Sequence, residues 1–170
     1  MNNQIIVGDY SRLNCCTITI RGNNNTIVIG DHCVCNQGEF WIEDNNNMIE
    51  IGDDTALCGK IQLAAIEGTR INIGKQCLFS SGIDIRTGDS HSLIKKETKE
   101  RLNKSRDIMI GNHVWIGTRV TILKGTTVAE NCMVGAASLL CKSYTAPNCV
   151  LAGVPANEVK HDVDCLAERI

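Results

Sequence analysis

The stretch of this 170-residue chain that most suggests chemistry is Gly88-Asp89-Ser90-His91-Ser92-Leu93. The chain has four histidines, and this one stands between an orderly repeat and a run of charge. A neutral imidazole, with an ordinary pKa of about 6.5, can take a proton from a hydroxyl at cytosolic pH. The competing reading is a polar turn residue. Asp89, two positions earlier, could orient the ring if the stretch is extended, or could be a plain turn aspartate. Asp84 and Arg86 flank the same stretch. They offer a carboxylate and a guanidinium to acceptor hydroxyls or a carboxylate, or an ion pair to a surface or an intersubunit contact.

These residues sit in a chain that repeats. IIVGDYS, IVIGDHC, IEIGDDT and INIGKQC place Val7, Ile29, Ile51 and Ile73 before a glycine at steps of 22. IMIGNHV places Ile110 in the same slot, 15 residues beyond one further period. From there the step is six: Ile110, Ile116, Ile122, Val128, Val134, Leu140, Ala146 and Ala152. Four positions after most of these stands a small or β-branched residue, namely Val114, Val120, Thr126, Cys132, Ser138 and Val150, with Tyr144 breaking the series. Six-residue spacing does not hold one face of a 3.6-residue helix. It fits a solenoid of short strands and turns, three units per triangular coil, with coils stacked about 4.8 Å apart.

The 22-residue period is a coil with one corner enlarged by four residues. Shifting by 22 aligns Gly22-Asn23-Asn24-Asn25, Asp44-Asn45-Asn46-Asn47, Ile66-Glu67-Gly68-Thr69 and Gly88-Asp89-Ser90-His91. Asn and Gly tolerate the left-handed backbone of tight corners. The alignment predicts His91 at the corner place of Asn25, Asn47 and Thr69. Residues 92–106 then carry eight charges and cannot form a wall, so they must leave the solenoid as a loop beside His91. By the same register Trp115 points outward, and an exposed tryptophan on a regular wall suggests a binding surface, here between subunits.

Composition narrows the function classes. The net charge of −2 provides no basic field for nucleic acid. No stretch approaches a membrane span. The opening MNNQIIVGDYSR has neither a charged region nor an apolar core of the signal-peptide kind, so a cytoplasmic setting is expected. Ten cysteines without a single CxxC read as reduced small hydrophobes rather than a zinc site, with Cys77 and Cys132 as core filler. His32 and His113 read as solvated turn residues.

The hexads, together with SSGIDIRTGDSHSL, IGNHVWIGTRVTILKGTTV, VGAASL and LAGVPA, resemble the bacterial hexapeptide-repeat acyltransferases. Within that family they look like the sugar and polysaccharide O-acetyltransferases of capsule and surface-glycan pathways. The resemblance implies an all-β fold: a left-handed parallel β-helix of about seven triangular coils, in one domain over residues 1–170. The solenoid would span about 5–157, with a loop at about 92–106 and a tail over 158–170. It also implies a homotrimer with active sites between subunits, acetyl-CoA as co-substrate, a carbohydrate acceptor and no metal.

Residue by residue, the resemblance makes His91 the catalytic base and sets Trp115 near the thioester and acceptor. Thr118, Ala136, Ala137, Cys141 and Lys142 would line the pantetheine and nucleotide groove, with Pro155 and Lys160 near the nucleotide end. In such a reaction His91 takes the hydroxyl proton as the oxygen attacks the acetyl carbonyl, then returns a proton to the CoA thiolate. Backbone N–H groups of a neighbouring turn would hold the oxyanion. Serine O-acetylation and nucleotide-sugar N-acetylation are alternatives within acyl transfer. A non-enzymatic binding solenoid predicts uniform corners, against the irregularity at 88–106. A γ-type carbonic anhydrase needs three converging histidines, and the sequence has no close pair.

Overall fold

In each unit one or two inward side chains flank an outward residue, and then the chain must turn. The computed structural model describes residues 2–166 and winds these units into three walls, here called A, B and C. Wall A has seven parallel strands, from Gln4–Val7 to Ser143–Tyr144. Wall C has six, from Thr17–Arg21 to Leu139–Leu140. Wall B has seven, from Arg12–Asn14 to Cys149–Gly153, and an eighth, Ala156–His161, added antiparallel. The chain visits A, B and C in turn, making six complete coils and two walls of a seventh. The fold is a left-handed parallel β-helix.

Register stacks like on like. On wall A, Ile27, Ile49, Ile71 and Ile108 form one buried column; Ile29, Ile51, Ile73, Ile110, Val128 and Tyr144 form the next. Val7, in the open first coil, is 44% exposed. The small inward slots are filled as the hexads predict by Val114, Val120, Thr126, Cys132 and Ser138, all buried.

The six-residue rule fails after Leu140. The spacing predicts Ala146 and Ala152 inward, yet Tyr144 and Leu151 take those columns, opposite Val128 and Val134. Cys149 replaces Val150 in the small slot. Tyr144 closes the end of the core, its hydroxyl donating to the Ala156 carbonyl at 3.1 Å. One bulky ring does the filling there, so the final coil is shorter. The first part of the expected tail is the antiparallel strand Ala156–His161. Residues 167–170 lie outside the described residues.

The corner between walls A and B explains the Ile-Gly-Asp signature. Tyr10, His32, Asp54, Gln76, His113, Asn131 and Asn148 all hold left-handed backbone there. Their amides donate to the preceding coil, as from His32 N to Asp9 O at 2.8 Å and from His113 N to Lys75 O at 2.8 Å. The Asp53 carboxylate accepts from the Asp31 amide of the coil below at 3.0 Å. A Cβ on Gly30 would lie 2.7 Å from the Asp53 backbone nitrogen, so the coils could not approach this closely.

The enlarged corner, between walls C and A, holds a buried amide ladder. Asn3 Oδ1 accepts from the Asn25 amide at 3.0 Å, and Asn25 Oδ1 from the Asn47 amide at 2.8 Å. Asn47 Oδ1 accepts from the Gly68 and Thr69 amides at 2.9 and 3.0 Å. The ladder ends where Thr69 Oγ1 meets Thr87 Oγ1 at 2.6 Å. His91 does not continue it. Thr87 completes the hydrogen bonding, so the chain leaves at Gly88 and returns at Asp107, with the Arg106 amide on the Thr87 carbonyl at 2.9 Å closing the neck. The excursion is therefore residues 88–106. It absorbs the four corner residues as well as the 15 extra, and His91 belongs to the loop. Gly88 is required at the exit, since a Cβ would stand 2.7 Å from Ile66 Cγ1.

The ladder sets a stability prediction. Asn47→Ala strips the buried Thr69 amide and the more exposed Gly68 amide of their acceptor and leaves the Asn25 Oδ1 and Glu43 carbonyl partly unpaired. At about 1–3 kcal/mol for a buried unsatisfied group, urea unfolding should show a loss of about 2–4 kcal/mol. An unchanged midpoint would mean that the corner does not depend on the ladder.

Candidate active site

The loop carrying His91 is a short finger tied to the solenoid at its base. Ile94 and Arg101 bridge antiparallel, the Leu102 amide reaches the Leu93 carbonyl at 2.7 Å, and the Lys95 amide reaches the Glu100 carbonyl at 2.9 Å. Glu67, from the enlarged corner of the coil before, pairs with Arg101 at 2.6 Å and accepts from the Ser105 amide at 3.2 Å. The Arg101 guanidinium holds the Glu67 carboxyl below its ordinary range.

A second set of contacts fixes the backbone of His91. Asn103 Nδ2 donates to the His91 carbonyl and to Asp89 Oδ2, both at 2.7 Å. Lys124 pairs with Asp89 and also donates to the Asn103 carbonyl at 3.0 Å. The His91 amide closes a tight turn onto the Asp89 carbonyl at 2.7 Å, with Ser90 in left-handed conformation. Lys124 above all, and the Asn103 hydrogen bond, hold the Asp89 carboxyl below its ordinary range. The sequence left Asp89 either to orient the imidazole or to serve as a plain turn aspartate. Instead its carboxylate is engaged by Lys124 and Asn103, and it acts on the main chain. The ring of His91 is exposed and has no hydrogen-bond partner among the described residues.

Asp84 and Arg86 lie on the outer face of wall C, in the strand that leads into Gly88. Arg86 Nε donates to both Asp84 oxygens at 2.8 and 2.7 Å, and Nη2 donates to Gln62 Oε1 at 2.7 Å. Sequence reasoning missed what stands beside them. Trp41 occupies the outward place of Gly38–Glu43 and lines a groove of about 290 Å³ with Arg86, Gly88 and Ser90. The signal was available: in GEFWIE the alternation sends Phe40 and Ile42 inward, so Trp41 must face out.

The remaining expected site residues fall into three groups. Thr118, Ala136 and Ala137 stack at the corner between walls B and C, with the Ala137 amide on the Thr118 carbonyl at 2.8 Å. Thr118 Oγ1 caps the Ser81 carbonyl of the preceding coil at 2.8 Å. Pro155 is in the exposed turn just beyond that corner, between Cys149–Gly153 and Ala156–His161. Cys141 and Lys142 sit at the corner between walls C and A, two coils below the exit of the His91 loop. Lys142 Nζ donates to Asn157 Oδ1 at 2.8 Å. Lys160 is exposed on Ala156–His161. Trp115, 38% exposed, faces out from wall B between Leu78 and Met133 in an apolar column that also includes Ala56. Wall A thus lies between Trp115 and His91 within one chain.

Two other sets of reactive groups have simpler roles. Cys33, Cys35, Cys77, Cys132 and Cys149 are buried. Burial pushes the Cys77 thiol up to about 11, so it is a packing group rather than an acyl carrier. His113, Asp164 and Cys165 present ligand-type atoms within 4.8 Å of one another. Asp164 faces Nδ1 of His113 at 3.5 Å, whereas Cys165 faces Nε2 at 3.6 Å. The carboxylate and the sulfur therefore lie close together on one side of the ring, against the C-terminal end of the described chain.

Comparisons with known proteins place this geometry. The family model for the bacterial transferase hexapeptide (six repeats) matches residues 107–142, the fifth and sixth coils. A polysialic acid O-acetyltransferase of Neisseria meningitidis is 35% identical over 124 residues, covering 73% of this chain and 57% of that protein. A galactoside O-acetyltransferase of Escherichia coli (strain K12) is 32% identical over 98 residues, covering 58% of this chain and 47% of that protein. The chain thus spans about half the length of these curated relatives. The crystal structure of the polysialic acid O-acetyltransferase OatWY superposes with a TM-score of 0.77 at 34% identity, covering 100% of this chain and 90% of that one. With that identity along nine-tenths of a solved relative, and with the hexads stacked as described, the chain belongs to the bacterial hexapeptide-repeat acyltransferase family.

Proposed function

We propose that the protein is an O-acetyltransferase that moves the acetyl group of acetyl-CoA to a hydroxyl of a surface polysaccharide, with His91 as general base. The observation that carries this reading is the His91 imidazole itself: among the described residues no side chain engages its ring, while Asn103 holds its backbone in place. A base must be free at the ring and fixed at the main chain to meet a hydroxyl in a defined geometry. The hydroxyl proton passes to the ring as the oxygen–carbonyl bond forms. The carbon–sulfur bond then breaks, and the proton leaves the ring for the thiolate. Cys141 and Lys142 share the His91 corner, and the Lys142 ammonium suits a phosphate of the donor.

The functional unit in this reading is a cytoplasmic homotrimer. Support comes from the placement of Trp115 and His91 on opposite sides of wall A, which leaves each chain with half a site. An apolar column on wall B offers the surface against which a neighbour's finger would pack. The thiol released from acetyl-CoA, measured over a panel of neutral, amino and sialylated glycans with serine as control, tests the activity. Release with no acceptor above the hydrolysis background would overturn it.

Variants at three positions test the arrangement. His91→Ala should lower kcat by about 10² to 10⁴ while oligomeric state and CoA affinity stay as in the parent. Turnover at the parent rate would remove His91 as the base. Chains carrying His91→Ala and chains carrying Trp115→Ala, each inactive alone, should regain part of the activity when unfolded and refolded together. No recovery in mixed trimers would show that both residues serve one site within one chain.

Lys124→Ala should loosen the His91 backbone and cost about ten-fold in kcat with little change in CoA affinity, and Lys124→Arg should restore most of it. The depressed Asp89 pKa means that this clamp is intact above the ordinary carboxylate pKa of about 3.9 and is lost only as pH falls through the folded value. It therefore stays ionised across the range in which an imidazole titrates. The acid limb of kcat/KM should keep its position in Lys124→Arg. A limb that moves in that variant would assign the titration to the clamp.

A further inference from the structure

We infer that the groove on the outer face of wall C is an acceptor subsite that holds a neutral pyranose residue of the glycan against Trp41. The inference rests on the acyl-transfer reading for the identity of the adjoining site, and on the groove itself for its ligand. The groove ends at Gly88 and Ser90, the positions just before His91. A sugar lying in it is continuous with a hydroxyl offered to the imidazole.

Register builds the hollow. Trp41 pairs with Ala64, and Ala64 with Arg86. Ala64 places a single methyl between two long side chains, so the wall dips there. The tryptophan is fixed in advance. Its Nε1 donates to Glu43 Oε2 at 3.3 Å, and the Arg21 guanidinium lies 4.7 Å from the ring centroid. A platform held in this way loses little freedom when a ligand arrives. A chain with only two tryptophans directs both outward from otherwise regular walls, one beside each portion of the site.

The chemistry of the lining selects the ligand. A pyranose ring has apolar C–H faces and hydroxyls around its edge. An indole takes the face, and the carboxylates and amide of Glu39, Glu43 and Gln62 take the edge. Charge separates a neutral ring from an acidic one. Arg86 is engaged by Asp84 and Gln62, and Arg21 by the indole. The Glu39 carboxylate has no ion-pair or hydrogen-bond partner among the described residues. A sugar carboxylate in this groove would face Glu39 and Glu43, and the one cation of the lining, Arg86, is already engaged.

An array of immobilised neutral hexose and N-acetylhexosamine oligomers, with polysialic acid as the anionic arm, tests the subsite on the full-length protein. The parent should bind neutral oligomers in preference to polysialic acid. Trp41→Ala should lose at least ten-fold in that binding, and Trp41→Phe should retain most of it, with CoA affinity equal in all three. Ala64→Leu fills the hollow without removing the indole and should give the same loss, which covers the case of a Trp41→Ala chain that fails to fold. No binding to any neutral glycan, a preference for polysialic acid, or full binding by Ala64→Leu would each overturn the proposal. Thiol release measured in parallel keeps the two readings apart. Glycan binding lost in these variants in a protein that never releases CoA would sustain the groove and sink the transferase.

Discussion

A triangular coil turns three times per circuit, and each turn aims backbone N–H groups at a core that water does not reach. Those groups must find acceptors within the chain. At the enlarged corner the acceptors are side-chain amides, passed from Asn3 to Asn25 to Asn47 and on to the Thr69 amide. The Thr69–Thr87 hydroxyl contact closes the series. Nothing inside the corner then requires a further side chain in the next coil, and the main chain is free to leave. The finger with His91 at its root exists because the ladder stops at Thr87, while wall A runs on through three further strands. Structure and chemistry thus meet at Thr87, a residue that touches no substrate.

Once outside, the finger needs anchors, and they are electrostatic. Residues 92–106 hold six basic and two acidic side chains, a net +4 on a chain whose total is −2. Two ion pairs cross the neck: Glu67 of the body with Arg101 of the finger, and Asp89 of the finger with Lys124 of the body, which also donates to the Asn103 carbonyl. Each pair alone is a partly exposed ion pair of small net worth. Their effect is geometric: together with Asn103 they fix the two ends of the finger relative to wall C, and so fix the backbone of His91. Lys96, Lys99 and Lys104 have no ion pair among the described residues, and add positive potential beside the site at no cost to that geometry.

Much of this was legible in the residues alone. The steps of 22 and six located the walls, the corners and a loop at about 92–106, because a solenoid repeats its steric demands coil by coil. Cys77 and Cys132 read as packing groups for the same reason. Three things were not legible. The slip after Leu140 depends on the volume of one ring, Tyr144, at the open end of the core. The position of His91 depends on whether Thr69 needs a partner above it, which is a question of hydrogen bonding rather than periodicity. The Asp89–Asn103–Lys124 cluster joins residues 14 to 35 positions apart, and no local pattern links them. Trp41 was legible by alternation, but it sits far in sequence from Gly88 and Ser90, with which it lines one groove.

A solenoid is an awkward scaffold for a pocket. Its walls are built from short strands whose outward side chains stand side by side, so the surface tends to be flat or convex, while ligand sites are concave. The fold has two ways out, and this chain uses both. One is to project a segment, and the finger at 88–106 does so next to the imidazole. The other is to vary side-chain size along a column, and the Trp41–Ala64–Arg86 series does so on wall C. The residues proposed for the donor side follow neither route: Thr118, Ala136 and Ala137 form a smooth column of small side chains at one corner, and Cys141 and Lys142 stand at another. A smooth corner becomes one side of a groove only when a second surface faces it. That geometric shortage, more than the apolar column around Trp115, is the physical reason to expect the donor site between copies of this chain and the acceptor groove within one.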